Sequence, residues 1–359
     1  IHRLDWAIPS SYFGARLAAM VRCDVASGES EMATITVDTY QWEQAFGPGT
    51  YDFTSAFGKA TFAGPGAVLA TFRQWIFEVT TGDGADILNF LNGAGTVSTG
   101  GGADVIAISG WVNTLDTGDG SDFVTVNNGA GINTLALGDG GGSVVSFGHI
   151  GTITGGNGID VVNFNDQDGS NSIETFGGND VVRSLGGGYL SFVDVSGGAD
   201  IVSLKGGAGG GTIVLGAGAD QFDADGWVNS VIGGGGKDTI KLLGGGNAEG
   251  GADADTFHIG ARTSNISGNG GADTLVFDFD ALSRNERDTF NGGAGVDTLR
   301  LVVETADLPH IDVPAAIAEL EAFDGGRTFL SFLNLELVNV ERIEVVFDGV
   351  MLPDTYPLA

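Results

Sequence analysis

Short segments with alternating apolar and polar residues recur from about residue 81 to residue 300. In each segment an apolar residue stands two positions after a reference position, which is an aspartate in every copy but one. Period-two alternation with one constant apolar face predicts half-buried β-strands. A helical reading fails because glycine at this density would cost about 1 kcal/mol per residue relative to alanine. The apolar residues are Leu88, Ile106, Val124, Val144, Val162, Val182, Val202, Phe222, Ile240, Phe257, Leu275 and Leu299.

A second, plainer strand follows halfway through each repeat, as in Asn113-Thr114-Leu115 and Asn133-Thr134-Leu135. The reference positions are mostly 18 to 20 residues apart, with one step of 17 and a last step of 24. This is the size of a solenoid coil, in which each unit buries its apolar face only by stacking on the next. The sequence therefore predicts an all-β fold, a right-handed parallel β-roll of about 12 coils with two facing parallel sheets.

The two turns of each coil differ in their chemistry. One turn ends in the reference aspartate and is rich in glycine, with the form Gly-Gly-x-Gly-x-Asp at residues 155–160, 233–238 and 292–297. Gly142 occupies the aspartate position in one degenerate copy. The opposite turn, such as residues 92–95, is also glycine-rich but mostly lacks a carboxylate. We expect one edge of the roll to be lined by metal and the other to be plain.

The aspartates of successive coils would form a ladder spaced by about 4.8 Å, the distance between neighbouring strands. Two unit charges at that distance repel by about 1 kcal/mol in water and by about 3–4 kcal/mol at an intermediate dielectric. Summed along the ladder, this repulsion is comparable to the stability of a whole domain. A formal net charge of −31 adds further electrostatic repulsion within the folded chain. Calcium, which takes six to eight oxygen ligands in flexible loops, would reverse the sign of the interaction.

The repeated motif resembles that of RTX (repeat-in-toxin) proteins, whose nonapeptides build a calcium-binding parallel β-roll. The resemblance covers about residues 81–300 and implies that aspartate carboxylates and glycine carbonyls bind calcium between coils. The implied carboxylate ligands are Asp86, Asp104, Asp122, Asp160, Asp180, Asp200, Asp220, Asp238, Asp255, Asp273 and Asp297. Asp83, Asp119 and Asp253 lie in the same loops and are expected to assist, and the implied carbonyl ligands belong to Gly155, Gly158, Gly233, Gly236, Gly292 and Gly295.

The resemblance also sets expectations for ion number and location. Only alternate turns carry the motif, so we expect several ions, roughly one per pair of adjacent aspartate turns and about half the number usual in the family. Gly142 puts the ions on either side of its coil in doubt, and the long step before Asp297 is expected to detach the last site. Rolls of this family fold where calcium is plentiful, which implies a chain exported by type I secretion to the cell surface or beyond.

Composition excludes several other classes of function. The acidic charge argues against binding nucleic acid, and no apolar run approaches the length of a membrane span. A single cysteine, Cys23, allows no internal disulfide. None of the four histidines lies in a His-Glu-x-x-His motif and there is no Gly-x-Ser-x-Gly elbow, so we predict no catalytic residue and no organic cofactor. The number of carboxylates alone leaves open a glycosidase-like catalytic pair, although calcium binding would explain the regularly placed carboxylates.

The flanks predict a three-part organisation. Residues 1–80 are expected to be an N-terminal extension and a β-rich cap or assembly segment, in which residues 1–31 precede a plausible natural start at Met32. Residues 81–300 form the calcium-binding roll. Residues 301–359 form a C-terminal cap and secretion region, with a short helix at residues 314–321 and a final strand at residues 338–347.

Two outward features bear on partners. The residue after each aspartate is apolar in the early coils, which favours an interaction surface or simply reflects the β-propensity of branched residues. Trp111 and Trp227 recur in Gly-Trp-Val-Asn and either contact a partner subunit or sugar or fold over their own turns. We predict a secreted structural protein that self-assembles into a homopolymer, as a filament, surface layer or matrix. The alternatives are an adhesin that binds a cell-surface glycan, or a secretion and folding module of a larger RTX toxin or enzyme.

Overall fold

The computed structural model describes residues 21–23, 34–38, 41–165, 169–260, 262–279 and 287–356. The predicted all-β parallel solenoid with two facing sheets is confirmed, and the described residues contain one α-helix. The chain divides into two compact units, residues 1–165 and residues 166–359. Most of the expected extension at residues 1–31 lies outside the described residues.

In the first unit, the strands that follow the aspartate turns form one parallel sheet, the first sheet. Its strands are β2 (Thr34–Val37), β4 (Gly49–Phe53), β6 (Val68–Phe72), β8 (Ile87–Phe90), β10 (Val105–Ile108), β12 (Asp122–Val126), β14 (Gly142–Ser146) and β16 (Val161–Phe164), with β1 (Val21–Cys23) antiparallel to β2. The second sheet is also parallel. It contains β3 (Glu43–Phe46), β5 (Phe57–Phe62), β7 (Ile76–Thr80), β9 (Gly93–Ser98), β11 (Trp111–Asp116), β13 (Gly131–Ala136) and β15 (His149–Thr154).

The register of these strands follows the apolar pattern. Val105 pairs with Ile87 on one side and with Phe123 on the other, so equivalent positions of successive coils lie side by side. The apolar residue two positions after each reference position points inward and is at most 1 % exposed throughout both units. A one-residue slip would turn this entire set outward, which is why the alternation fixes the pairing.

Residues 34–80, expected to be a cap, contribute strands to the same two sheets as the aspartate-bearing coils. β6 pairs in parallel with β8, and β7 pairs in parallel with β9. Their core is aromatic: the ring centroids of Phe53 and Phe72 lie 4.6 Å apart, and those of Phe72 and Phe90 lie 4.9 Å apart. Stacked aromatic rings therefore form a continuous core between the coils that lack the aspartate motif and the first coil that has it.

The second unit repeats the arrangement. Its first sheet contains β18 (Val181–Ser184), β20 (Ile201–Leu204), β22 (Gln221–Ala224), β24 (Thr239–Leu242), β26 (Thr256–Ile259), β28 (Thr274–Asp278), β30 (Thr298–Val303) and β33 (Arg342–Phe347). Its second sheet contains β17 (Ser170–Glu174), β19 (Leu190–Asp194), β21 (Gly210–Ala217), β23 (Val228–Gly235), β25 (Gly246–Gly251), β27 (Ser264–Gly270), β29 (Asp288–Ala294) and β32 (Leu335–Val338).

The end of the second unit departs from the repeat. A 3₁₀ turn (Leu308–His310) and the helix α1 (Val313–Glu321) are inserted before β32, and the Asp312 side chain caps α1 by accepting from the Ala315 amide. The helix lies where the sequence predicts it. Two antiparallel strands, β31 (Thr328–Leu330) on β32 and β34 (Val350–Tyr356) on β33, cover edges that the parallel sheets would leave unpaired.

Candidate metal centre

The aspartates at the reference positions point into the turns and are buried. Each of the eleven is at most 2 % exposed. In successive coils, Oδ1 of one aspartate accepts a hydrogen bond from the backbone amide at the reference position of the preceding coil, with N···O distances of 2.6 to 2.9 Å. We call this arrangement the carboxylate ladder. It holds the aspartate side chains in place and, within each unit, binds neighbouring coils to one another.

The ladder begins and ends at residues that carry no aspartate motif. At the start, Asp86 accepts from the Val68 amide at 2.7 Å. After the step of 24 residues, Asp297 still accepts from the Asp273 amide at 2.8 Å, whereas the expected detachment of the last metal site stays a prediction. At the far end, Glu341 takes the reference position and accepts from the Asp297 amide at 2.8 Å. The sequence did not reveal Glu341, because it has no glycine motif and the insertion that contains α1 places it 44 residues after Asp297.

The second carboxylate oxygen is the unusual part of the ladder. Oδ2 is buried and lacks a hydrogen-bond partner in Asp86, Asp104, Asp122, Asp200, Asp220, Asp238, Asp255, Asp273 and Asp297. In Asp160, by contrast, Oδ2 accepts from the Gly156 amide at 3.3 Å. Leaving one buried acceptor unsatisfied costs about 1–3 kcal/mol, and more when it is charged. So many orphaned oxygens on one edge indicate a ligand that the protein groups alone do not supply.

Burial also changes the acidity of these groups. Removal from water raises the pKa of Asp104 and Asp255 to about 6 and that of Asp200, Asp238 and Asp273 to about 7. The amide hydrogen bonds partly oppose this rise, and neighbouring aspartates reinforce it. The pKa of Asp86, Asp122, Asp220 and Asp297 is raised for the same leading reason. Without a compensating positive charge, the ladder therefore favours the protonated carboxyl.

Backbone carbonyls run beside the ladder. A Cβ on Gly236 would lie 1.6 Å from the carbonyl oxygen of Gly218, and one on Gly295 would lie 1.4 Å from that of Gly271. Both glycines have positive φ, 109° and 149°, a conformation that other residues rarely adopt. Each glycine two residues before an aspartate thus lets the carbonyl of the preceding coil approach its Cα. Gly158 lies in the same column and meets the backbone of Gly140 and Gly141.

The ladder is interrupted at Gly142. A Cβ there would lie 2.9 Å from Cδ2 of Leu137, a fully buried side chain five residues earlier in the chain. An apolar side chain therefore fills the space that the missing carboxylate would occupy. Asp160 resumes the ladder by accepting from the Gly142 amide at 2.7 Å. The expectation that Gly142 puts the ions on either side of its coil in doubt stays a prediction, and we call the Leu137 side chain at this position the apolar plug.

The assisting carboxylates lie elsewhere on the turn. Asp83, Asp119 and Asp253 are exposed and do not join the buried ladder. Oδ2 of Asp253 accepts from the Gly236 amide at 2.9 Å, so this side chain supports the neighbouring turn from outside. Whether these three groups bind metal stays a prediction.

The plain edge holds one feature that the sequence pattern did not indicate. Asp288 is buried and accepts from the Ser264 amide at 2.7 Å, as the ladder aspartates do on the other edge.

Trp111 and Trp227, also on the plain edge, are each 41 % exposed. A Cβ on Gly131 would lie 2.2 Å from the Trp111 ring, and one on Gly245 would lie 3.2 Å from the Trp227 ring. Both rings therefore lie over the turn of the next coil.

The donor set fits a hard divalent cation. It consists of carboxylate and carbonyl oxygens, which suit calcium, rather than the imidazole or thiolate groups that transition metals prefer. Among the described residues, no three His, Cys, Asp or Glu side chains cluster tightly enough to hold a metal by themselves. A site on this edge would therefore combine two successive carboxylates with backbone oxygens. None of the described helices is long and apolar enough to cross a membrane.

No protein-family model matches the chain, and no curated protein matches it. Among solved structures, it is similar to a hyperactive, Ca²⁺-dependent, β-helical antifreeze protein from an Antarctic bacterium, with 17 % identity and a TM-score of 0.47 over 92 % of this chain and 96 % of that chain. At this level the likeness carries no argument about function, and the RTX resemblance stays a prediction.

Replacing Asp255 by asparagine should change stability in opposite directions with and without calcium. Asn keeps an oxygen for the Asp238 amide but removes the buried charge. In excess chelator at pH 7.5, Asp255→Asn should be more stable than the wild type by about 1–2 kcal/mol, because no charged group is held out of water. In saturating calcium it should be less stable by about 3–4 kcal/mol, the contribution of one lost site.

Urea unfolding under both conditions measures this pair of effects. The control is Glu249→Gln, which removes the same charge from an exposed position in the neighbouring strand β25 and should shift stability little in either condition. An Asp255→Asn protein destabilised equally with and without calcium would show that the carboxylate has a packing role alone.

Proposed function

We propose that this protein is a secreted, calcium-binding structural β-solenoid of the RTX type. The observation that carries the proposal is the carboxylate ladder, in which Oδ1 of nine aspartates accepts a hydrogen bond from the preceding coil while Oδ2 of the same aspartates is buried and unpartnered. A row of such oxygens is stable at neutral pH only beside positive charge. The described lysines and arginines that form ion pairs do so with other carboxylates, away from the ladder.

The residues that would hold calcium are the ladder aspartates together with the glycine carbonyls of their turns. Oδ2 of successive aspartates faces the interior of the turn, and carbonyls such as that of Gly218 run alongside. Calcium supplies the positive charge that lets the carboxylates stay ionised in a buried position. The protein contributes the rest: fixed rotamers, an amide hydrogen bond to each Oδ1, and glycines that admit the backbone.

Calcium dependence supports an extracellular location. A chain that needs calcium to neutralise its ladder would stay open where calcium is scarce and fold where it is abundant. This fits export in an unfolded state by a type I pathway, as the family resemblance implies. Folding coupled to metal binding would then occur after export.

An exposed apolar stripe supports self-assembly. Leu69, Ile87, Val105 and Phe123 lie in register on the outer face of the first sheet and are 38 to 43 % exposed. Contiguous exposed apolar residues commonly mark an interaction surface. The antiparallel strands β1, β31 and β34 cover sheet edges, which disfavours strand-to-strand growth there. Side-by-side pairing of stripes is therefore the mode of assembly that we propose.

The combined substitution Ile87→Thr, Val105→Thr and Phe123→Thr should abolish assembly without unfolding the protein. Threonine keeps the β-branched shape or β-propensity that suits a strand but removes the apolar surface. The matched control is Thr96→Ser, Thr114→Ser and Thr134→Ser, a row in register on the second sheet. Electron microscopy and sedimentation in millimolar calcium provide the measurement.

We expect ordered polymers from the wild type and the control, and single particles from the stripe variant. A wild-type protein that stays monodisperse in calcium would contradict the assembly role. The adhesin and the secretion module would then be the remaining alternatives. Glycan-array binding by those particles would then favour the adhesin.

A further inference from the structure

The residue five positions before a ladder aspartate distinguishes two groups of turns. In three turns of the first unit this residue is Thr81, Thr99 or Thr117, preceding Asp86, Asp104 and Asp122. We call these the threonine turns. In four turns of the second unit it is Gly233, Gly250, Gly268 or Gly292, preceding Asp238, Asp255, Asp273 and Asp297. We call these the glycine turns. The other four ladder aspartates follow Gly155, Thr175, Val195 and Leu215 and belong to neither group. The position adjoins the carboxylate, so its side chain decides what surrounds the orphaned Oδ2.

The threonine turns are tied to one another by their own side chains. Each hydroxyl is buried, since these residues are at most 5 % exposed. The Thr81 hydroxyl donates to the Thr99 carbonyl at 2.8 Å, and the Thr99 hydroxyl donates to the Thr117 carbonyl at 2.9 Å. The Thr117 hydroxyl makes a longer contact, 3.4 Å, with the Ala136 carbonyl. These bonds cross from coil to coil beside the carboxylate ladder and need no cation.

Each threonine hydroxyl has a single proton, and in Thr81 and Thr99 it is donated to a carbonyl of the next coil. Two neighbouring coils are thereby joined by a side chain that is uncharged and independent of the carboxylate. The threonine turns therefore contain a neutral substitute for part of the cohesion that calcium would supply.

The glycine turns have no such substitute. A Cβ on Gly250 would lie 2.2 Å from Oδ2 of Asp255, and one on Gly268 would lie 2.1 Å from Oδ2 of Asp273. At Gly233 and Gly292 the corresponding distances to Oδ2 of Asp238 and Asp297 are 2.5 and 2.4 Å. The carboxylate thus occupies the space of the missing side chain. The strands of the second sheet run into these turns, so the coils there are joined by backbone bonds and by amide bonds to the aspartates themselves.

We propose that the two kinds of turn divide the solenoid into a segment that holds its coils without calcium and a segment whose stability depends on calcium. The proposal rests on the proposed function, since it names which part of the ladder the cation controls. The threonine-turn coils, residues 81–126, stay paired when calcium falls. The glycine-turn coils, described over residues 233–260, 262–279 and 287–301, open first and close last. Calcium then regulates the glycine-turn coils, while the threonine-turn coils keep their pairing.

Hydrogen–deuterium exchange of the full chain tests this division. Exchange is measured by mass spectrometry in millimolar calcium and in excess chelator, both at pH 7.5. Chelation should raise exchange at least about tenfold in β24, β26 and β28, which corresponds to a loss of about 1.4 kcal/mol of local protection. Exchange in β10 and β12 should change much less. Equal loss in both segments would overturn the division but leave calcium binding intact. No change in either segment would overturn calcium binding itself, and the division with it.

A substitution that converts one kind of turn into the other sharpens the test. Thr99→Gly removes the hydroxyl from the middle threonine turn, and β8 and β10 should then lose protection in chelator and regain it in calcium. Thr99→Ser keeps the hydroxyl and should behave like the wild type. Protection in Thr99→Gly that is unchanged by chelation, or that calcium does not restore, would contradict the assignment of the hydroxyl as the substitute for metal.

Discussion

Adding excess chelator at neutral pH should remove a large part of the β-structure, and restoring calcium should bring it back. The physical reason is that the contributions of several calcium sites add. A ligand present at 1,000 times its dissociation constant stabilises the folded state by about 4 kcal/mol per site. Three such sites contribute about 12 kcal/mol, which equals the stability of an ordinary domain. The ladder has enough buried, unpartnered carboxylates for several sites. Removing the metal is therefore expected to lower the free energy of unfolding by more than the apolar core alone supplies.

Far-UV circular dichroism and thermal unfolding across a calcium titration measure this effect. Magnesium at equal concentration is the control, because it demands a small octahedral shell and gives up its water reluctantly, so it should rescue poorly. An equal rescue by magnesium would point to charge screening in place of specific coordination. Full β-structure in excess chelator would show that the ladder is stable without any metal.

The pH dependence of the metal-free protein should run opposite to ordinary acid unfolding. Burial raises the pKa of Asp200, Asp238 and Asp273 to about 7 in the folded state, whereas in the unfolded chain the pKa of these groups lies near the ordinary aspartate value of 3.8. Between about pH 4 and pH 7 the folded state therefore binds more protons than the unfolded state, and stability falls as pH rises. Asp104 and Asp255, with pKa values raised to about 6, add to the slope.

Urea unfolding midpoints in chelator at pH 4.5 and pH 7.5 check this prediction. We expect the protein to be more stable at pH 4.5, where the ladder carboxyls keep their protons. In saturating calcium the difference should disappear or reverse, because the cation replaces the proton. A metal-free protein that is more stable at pH 7.5 would mean that some protein group already compensates the ladder charge.

Much of the fold follows from the sequence because one physical constraint repeats. Alternation places Leu88, Ile106 and Val124 inward with equal spacing, and a coil with such a stripe buries it only by stacking on a copy of itself. Glycine is needed at positions such as Gly236 and Gly295, where a positive φ and a close carbonyl exclude other residues. The position of each reference aspartate in the buried ladder follows from the same repeat.

The sequence did not indicate features that lack the repeated signature. The coils of residues 34–80 contain no glycine–aspartate motif, and their stacking depends on aromatic side chains such as Phe53 and Phe72, which fit many folds. Glu341 joins the ladder only because an inserted helix returns the chain to the same edge. Asp288 repeats the ladder's hydrogen bond on the opposite edge, although no glycine motif precedes it. Such contacts depend on where separate segments meet, which spacing alone does not fix.

The plug formed by Leu137 beside Gly142 has a consequence for how the ions would interact. If calcium binds along the ladder as proposed, a carboxylate between two cations would contribute to both, so occupancy of one position would favour its neighbours. At Gly142 there is no carboxylate to contribute, and this coupling would stop. Metal bound beside Asp86, Asp104 and Asp122 would thus saturate as a separate group, with a titration curve of its own. One missing carboxylate would then set how many positions act together when calcium arrives.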